Sequence, residues 1–141
     1  MPLPDFTLPR PLATIARHLP EWPATQAFVT ALNVAHIMGR LPGDWSFLDG
    51  RVVRIDVEDL ETGVSFTRAA GRFRAVSGEP ALRFSARAAD YLRIALREED
   101  PDTLFFQRRF KIEGDTELGL ELKNRLDALP LPAFLARLSQ Q

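Results

Sequence analysis

The chain has 141 residues, 45% of them hydrophobic and 26% charged, a size and balance that fit one soluble domain with a buried core. Lys and Arg number 18 against 19 Asp and Glu, so the net charge of -1 gives no global attraction for nucleic acid. With no cysteine, disulfides, thiolate catalysis and cysteine-held metal or iron–sulfur centres are excluded.

Residues 1–24 are punctuated by Pro2, Pro4, Pro9, Pro11, Pro20 and Pro23. Between them Leu12, Ile15, Ala16 and Leu19 recur at helical spacing, with Arg10, Arg17 and His18 elsewhere on the turn. That pattern predicts a short amphipathic arm outside the core. The opening, MPLPDFTLPRPL, lacks the continuous apolar stretch of a secretory signal, and no apolar run reaches the roughly 18–20 residues that span a bilayer. The expected location is the cytoplasm, with any membrane contact peripheral, at the inner face. Thr25 to Met38 is predicted to be a helix with a wide apolar stripe of Phe28, Val29, Leu32, Ala35 and Ile37, ended by Gly39. A loop follows around Pro42-Gly43-Asp44, with Trp45, Phe47 and Leu48 tucked beneath it.

From Arg51 the period changes to two: Val53, Ile55 and Val57 alternate with Arg54, Asp56 and Glu58, the pattern of a half-buried strand. Glu61-Thr62-Gly63 turns the chain into Val64 and Phe66. Gly71 breaks before Arg72–Val76, and Ser77-Gly78-Glu79-Pro80 turns again into Leu82, Phe84 and Ala86. Short strands joined by tight turns predict an antiparallel meander with one wet face.

Ala88 to Glu99 returns to helical spacing through Tyr91, Leu92, Ala95 and Leu96, and Pro101 opposes its continuation. Asp100 onward reads as a turn, an aromatic lead-in and a last strand through Phe110 and Ile112, with Arg109, Lys111 and Glu113 outward. Asp115 is placed to cap the next helix by accepting from its first amides. Leu118, Leu122, Leu126 and Leu129 form one stripe of that helix while Leu120 lies well off it. A helix with leucine on two faces needs two apolar neighbours: the sheet, and a second layer, a partner or a lipid. After Pro130 and Pro132, Phe134, Leu135 and Leu138 make a short amphipathic tail. The expected organisation is an arm at 1–24, a domain at 25–129 and a tail at 130–141. Its class is α+β, an antiparallel or mixed sheet covered on one face by helices.

Catalytic groupings are weak. His18 and His36 have no carboxylate or second histidine at ligand spacing. The acids Asp56/Glu58, Asp59/Glu61, Glu98/Glu99/Asp100 and Asp115/Glu117 read as solvated strand and turn residues rather than an acid–base pair. Gly114-Asp115-Thr116 is too short for a phosphate loop, and the serines lack a nucleophile-elbow context. The chain is expected to be non-enzymatic, with no cofactor and no metal site. Arg51, Arg54, Arg72, Arg74, Arg83 and Arg87 fall on outward strand positions, with Arg93 and Arg97 a turn apart on a helix. They read either as a charged outer face or as a patch for anionic headgroups or an acidic partner. Leu104-Phe105-Phe106 reads either as core or as a site in which Gln107 is an isolated amide beside an apolar channel.

Thr103-Leu104-Phe105-Phe106-Gln107-Arg108-Arg109-Phe110-Lys111-Ile112-Glu113-Gly114-Asp115 resembles the aromatic-x-Gln-Gly-Lys-Leu-Lys-Ile-x-Gly-Asp/Asn signature of the sterol carrier protein 2 superfamily. The order of elements over about 25–129 agrees with it, as do Leu118, Leu120 and Lys123. The fuller string, from Asp100 to Arg109 and from Ile112 to Asn124, is similar to that superfamily's UbiT branch, accessory factors of oxygen-independent ubiquinone biosynthesis. The resemblance implies an SCP2-like fold, a five-stranded, mainly antiparallel sheet whose helices enclose an apolar lipid tunnel. Gln107 falls on the family's tunnel glutamine, and Arg108-Arg109 replaces the usual Gly-Lys. The implied role is to hold polyprenylated quinone intermediates for UbiU and UbiV-like proteins of the U32 peptidase family. Phe28, Leu32, Phe84, Leu92, Phe105, Phe106, Leu118, Leu120 and Leu122 are the expected lining. Leu12, Ile15, Leu19, Phe134, Leu135 and Leu138 are the expected membrane contacts. The alternative function is a phospholipid-binding or membrane-sensing domain.

Overall fold

The computed structural model describes residues 5–41 and 43–127, with side chains through residue 125 at the C-terminal end. The predicted tail, including Phe134, Leu135 and Leu138, lies outside the described residues. In chain order the elements are α1 (Arg10–His18), α2 (Trp22–Ile37), β1 (Val53–Val57), β2 (Thr62–Ala69), β3 (Arg72–Ala75), β4 (Leu82–Ala86), α3 (Ala88–Ala95), α4 (Pro101–Phe106), β5 (Lys111–Gly114) and α5 (Thr116–Asp127).

The strands make one sheet in the order β3-β2-β1-β4-β5. Three pairings are antiparallel; β1 and β4 run parallel, with Val53 beside Leu82 and Ile55 beside Phe84. The sheet is therefore mainly antiparallel, as expected, but the predicted meander stops at β3, because β4 crosses back to pair parallel with β1. Alternation decides its faces. Val53, Phe66, Phe73, Leu82 and Phe84 are buried on one side, whereas Arg54, Asp56 and Arg83 share the other.

Helix α2 packs on β3 and β2, and α5 on β5 and β4. Asn33 of α2 donates to the Phe73 carbonyl and accepts from the Phe73 amide, both at 2.9 Å, so the helix covers the edge of β3. At the other end the chain turns sharply at Gly114, whose φ is +98° and where a Cβ would stand 2.4 Å from the Ala81 carbonyl oxygen. Only glycine fits there. Asp115 then caps α5 as predicted, accepting from the Leu118 amide at 3.1 Å. Gly119 lets α5 sit close, since a Cβ there would lie 2.6 Å from Ile112 Cγ2 and 3.0 Å from Leu82 Cδ1. The loop aromatics are tucked in as expected: Trp45 and Leu48 are buried and Phe47 packs against the core.

Several boundaries differ from expectation. Helix α2 begins three residues before Thr25, with Pro23 in its first turn, where a missing N–H costs nothing. Helix α3 stops at Ala95 rather than running to Glu99, and Arg97 adopts a left-handed φ of 61°, so Arg93 and Arg97 do not share a helix. The aromatic lead-in is not extended: Pro101–Phe106 is helix α4, capped by the Asp100 carboxylate accepting from the Asp102 amide. Arg87 is not a strand residue but the N-cap of α3.

Candidate functional site

The expected lipid-contacting residues separate into two groups. Phe84, Leu118 and Leu122 are 1%, 4% and 3% exposed, in one core cluster with Leu104 and Phe110, and Phe28 and Leu32 pack against that cluster. The Phe84 ring meets Phe110 edge-on at 5.1 Å, and Phe110 meets Tyr91 at 6.3 Å. Leu92, Phe105, Phe106 and Leu120 are instead exposed, Phe106 at 81%. On α5 the division follows the helical period: Leu118 and Leu122 face the sheet, and Leu120 points away from it. Helices α4 and α5 are neighbours, clamped by the ion pair of Asp102 with a buried Lys123. The exposed aromatics of α4 therefore sit beside the leucine-rich end of the core.

Gln107 ends α4, its amide donating to the Thr103 carbonyl at 3.0 Å, and its side chain is exposed. It is the C-cap of a helix rather than an amide at the mouth of a strand. Arg108 follows with a left-handed φ of 60°. The signature has glycine at this position, and the chain keeps a glycine-like backbone while carrying an arginine. A left-handed non-glycine residue costs about 1–2 kcal/mol, part of which glycine would lose again through the entropy of its unfolded chain. Arg108→Gly is expected to stabilise the protein by about 0.5–1 kcal/mol, read as a higher urea midpoint at unchanged slope.

Arg109 does not point outward. It contacts Asp90 Oδ1 at 2.5 Å, and the same carboxylate takes Arg93 at 2.8 Å and Arg87 at 3.3 Å. Asp90 is 0% exposed and Arg93 6%. Over this group lies Asp5, whose Oδ1 is within 2.8 Å of Arg87, 3.1 Å of Arg93 and 3.4 Å of Arg109. The hydrogen bond from Arg87 holds the Asp5 carboxyl below the usual range, despite some opposing desolvation. The sequence reading missed Asp90, although the spacing Arg87, Asp90, Arg93 puts all three on one side of a helix.

The arginines of the polar sheet face are largely engaged. Arg54 bonds Glu21 at 2.7 Å and Asp56 at 2.7 Å, Arg83 pairs with Asp56, and Arg51 with Asp115 at 2.9 Å. Arg72 and Arg74 are exposed. Above this face is an open groove of about 760 Å³ walled by Trp22, Thr25, Ser65 and Pro80. Tyr91 donates to the Asp56 carbonyl at 2.7 Å, and burial pushes its phenol up, so it stays protonated.

Glu21 ties α2 to this face, and the Arg54 hydrogen bond holds its carboxyl below the ordinary 4.5. A lowered carboxylate stabilises the fold above its unfolded pKa and loses that contribution as pH falls through its folded value. Glu21 is 41% exposed, so screening keeps the effect modest. Glu21→Gln is expected to cost about 0.5–1 kcal/mol at neutral pH, the gap from wild type closing on the acid side of 4.5 in a urea–pH series.

The predicted membrane contacts of the arm are on the surface: Leu12, Ile15 and Leu19 are 43%, 58% and 59% exposed, while Ala13 is buried. Among the described residues no helix is long and apolar enough to cross a membrane.

Comparison with known proteins places this architecture. The sequence profile of the SCP-2 sterol transfer family matches residues 38–127. The chain belongs to the SCP-2 sterol transfer family. It is also 48% identical over 90 residues to the ubiquinone biosynthesis accessory factor UbiT of Escherichia coli strain K12, covering 63% of this chain and 52% of that protein. The UbiT of Escherichia coli O157:H7 gives the same values. This SCP-2 family chain thus spans about half the length of the curated relatives it matches. Among solved structures, a UbiJ-SCP2 ubiquinone synthesis protein superposes with a TM-score of 0.55 at 18% identity, over 85% of this chain and 99% of that one. The sec-alkylsulfatase Pisa1 from Pseudomonas sp. superposes at 0.53 and 20% identity, over 83% of this chain and 18% of that one. At these identities the structural likeness establishes the SCP2 fold alone.

Proposed function

We propose that this SCP-2 family chain is a non-enzymatic, lipid-binding accessory factor of oxygen-independent ubiquinone biosynthesis. It holds polyprenylated quinone intermediates while UbiU and UbiV-like proteins of the U32 family hydroxylate the ring. The single observation that carries the reading is the 48% identity to UbiT over 90 residues. The physical argument agrees with it. An isoprenoid tail is almost wholly apolar carbon, and each buried CH2 contributes about 0.8 kcal/mol without any directed contact. The tail docks first on Phe105, Phe106, Leu92 and Leu120, then passes between α4, α5 and the sheet beside Leu118, Leu122 and Phe84, with Phe28 and Leu32 beyond. Gln107 sits at the rim, where an amide can meet a quinone oxygen. Entry of the tail requires α4 and α5 to part from the sheet by the width of a prenyl chain.

Purification from the native host without detergent, followed by mass spectrometry of the organic extract, tests this. A prenylated ring compound near one per chain is the expected result. A lipid-free, monodisperse protein contradicts it.

A second reading is favoured by α1 and its C-cap, which present Leu12, Ile15 and Leu19 to solvent with Arg10, Arg17 and His18 on the same short helix. It is a phospholipid-binding or membrane-sensing domain, in contact with the inner face of the membrane. Liposome flotation separates the two, because binding that requires anionic lipid supports membrane sensing, and binding indifferent to lipid charge supports carriage of a neutral quinone.

A further inference from the structure

The two edges of the sheet are treated differently. On β3 the side chain of Asn33 occupies the amide and the carbonyl of Phe73. The other edge is β5, Lys111-Ile112-Glu113-Gly114, which is paired on one side only, with β4. Its hydrogen-bond phase is fixed by its neighbours. The Leu82 amide donates to the Val52 carbonyl, which turns the main chain of Leu82 and Phe84 toward β1 and leaves that of Arg83 and Ser85 to serve β5. Arg83 and Ser85 stand opposite Glu113 and Lys111, and the Asp115 amide donates to the Ala81 carbonyl in the same phase. Ile112 therefore turns its N–H and C=O away from the sheet, and among the described residues nothing bonds them.

An open edge is a template for another strand, and short charged edge strands usually discourage that pairing. The charges of β5 favour it for one partner. Lys111 and Glu113 flank Ile112 on the same face of the sheet with opposite signs. The Lys111 side chain is 49% exposed and bonds Glu58 at 2.8 Å, with further N–H donors to spare. Glu113 is exposed and makes no ion pair among the described residues, since Arg83 opposite it is taken by Asp56. An antiparallel second copy can pair about Lys111, about Ile112 or about Glu113. The first register sets lysine against lysine and the third glutamate against glutamate, both unfavourable. The register about Ile112 sets each Lys111 opposite Glu113 of the second copy. These are the non-hydrogen-bonded positions, where side chains come closest.

We propose that β5 is a self-association edge, on which two copies pair antiparallel about Ile112. The contact consists of two main-chain hydrogen bonds between the Ile112 residues and two Lys111–Glu113 ion pairs, related by a two-fold axis. The joined sheet has ten strands, with both polar faces and their open grooves on one side and both cores on the other. A four-residue contact buries well below the roughly 1,000 Å² of a stable interface, so the dimer is weak and reversible, with a Kd of about 0.1–1 mM. The pairing requires no bound lipid.

Sedimentation equilibrium of the full chain from about 0.05 to about 1 mM tests this, together with amide hydrogen exchange over the same range. The average mass is expected to rise with concentration, and the Ile112 amide to become protected in parallel. The Lys111 and Glu113 amides, already turned to β4, stay unchanged. Glu113→Lys and Lys111→Glu each place like charges opposite one another and are expected to weaken association about tenfold. An equimolar mixture of the two restores both ion pairs and is expected to associate as wild type does. If Lys111→Glu does not fold beside Glu58, Lys111→Glu/Glu58→Gln takes its place in the mixture. A chain that stays monomeric up to about 1 mM overturns the proposal. So does association that neither charge reversal weakens, a mixture that associates no better than its components, or Ile112 protection that is independent of concentration.

Discussion

Asp90→Asn is expected to remove about 3–5 kcal/mol of stability, the cost of leaving buried cations without their anion. Asparagine keeps the volume and one acceptor oxygen, so cavity formation is not the cause. What is lost is the charge facing Arg93 at 2.8 Å and Arg109 at 2.5 Å, in a pocket where Asp90 is 0% exposed. Against a total of about 5–15 kcal/mol for a typical domain, this leaves a protein close to its folding threshold. Thermal unfolding should show a fall of roughly 10–20 °C. The double variant Asp90→Asn/Arg93→Met removes the buried cation together with its anion and should recover part of the loss. An Asp90→Asn protein as stable as wild type would mean that water reaches the cluster and the arginines are not held from beneath.

Phe84→Ala is the second large loss, about 3–5 kcal/mol, and its origin is packing. Phe84 lies on a strand paired on both sides, between Ile55 of β1 and Ile112 of β5, with its ring 1% exposed against Phe110. Strands on either side limit collapse around the hole, so the cavity contribution remains on top of the lost transfer energy. Urea unfolding should show a lower midpoint at unchanged slope. Phe106 gives the contrast. Its ring is 81% exposed, so Phe106→Ala should leave stability within about 0.5 kcal/mol of wild type while weakening lipid uptake. Lipid uptake unchanged by Phe106→Ala would remove α4 from the proposed path.

What the sequence revealed follows from how local each feature is. Val53, Ile55 and Val57 announce β1 by strict alternation, and Asp115 announces α5 because a cap is read within four residues. The parallel pairing of β1 with β4 is invisible in the chain, because Val53 meets Leu82 across 29 positions that carry no local mark of it. Helix α4 was missed for another reason. Leu104-Phe105-Phe106 puts three apolar residues in a row, which shows neither a period of two nor one of 3.6. The better signal was Asp100-Pro101-Asp102, an N-cap followed by a proline that tolerates the first turn. Asp90 carries no local mark of its burial, because an acid in a helix is usually wet and its partner Arg109 is brought in from the far side of α4.

The candidate site was readable as chemistry and less so as position. The surplus of leucine on α5 is real, with Leu120 51% exposed opposite a buried stripe. Nothing local to Phe105 and Phe106 signals that they also lie outside, while Phe84, Leu118 and Leu122 close on the core. That separation makes the carrier reading depend on movement of α4 and α5, with the exposed aromatics as the first contact and the buried residues as the destination.

Methyl NMR of the leucines of the full chain, titrated with a short-chain prenyl quinone in detergent-free buffer, examines this directly. Shifts at Leu118 and Leu122 that saturate at one quinone per chain are the predicted result, with Leu120 responding at the same stoichiometry. Shifts confined to Leu120, or none at any of the three, would mean that the quinone stays outside the core and that the interior is packing alone.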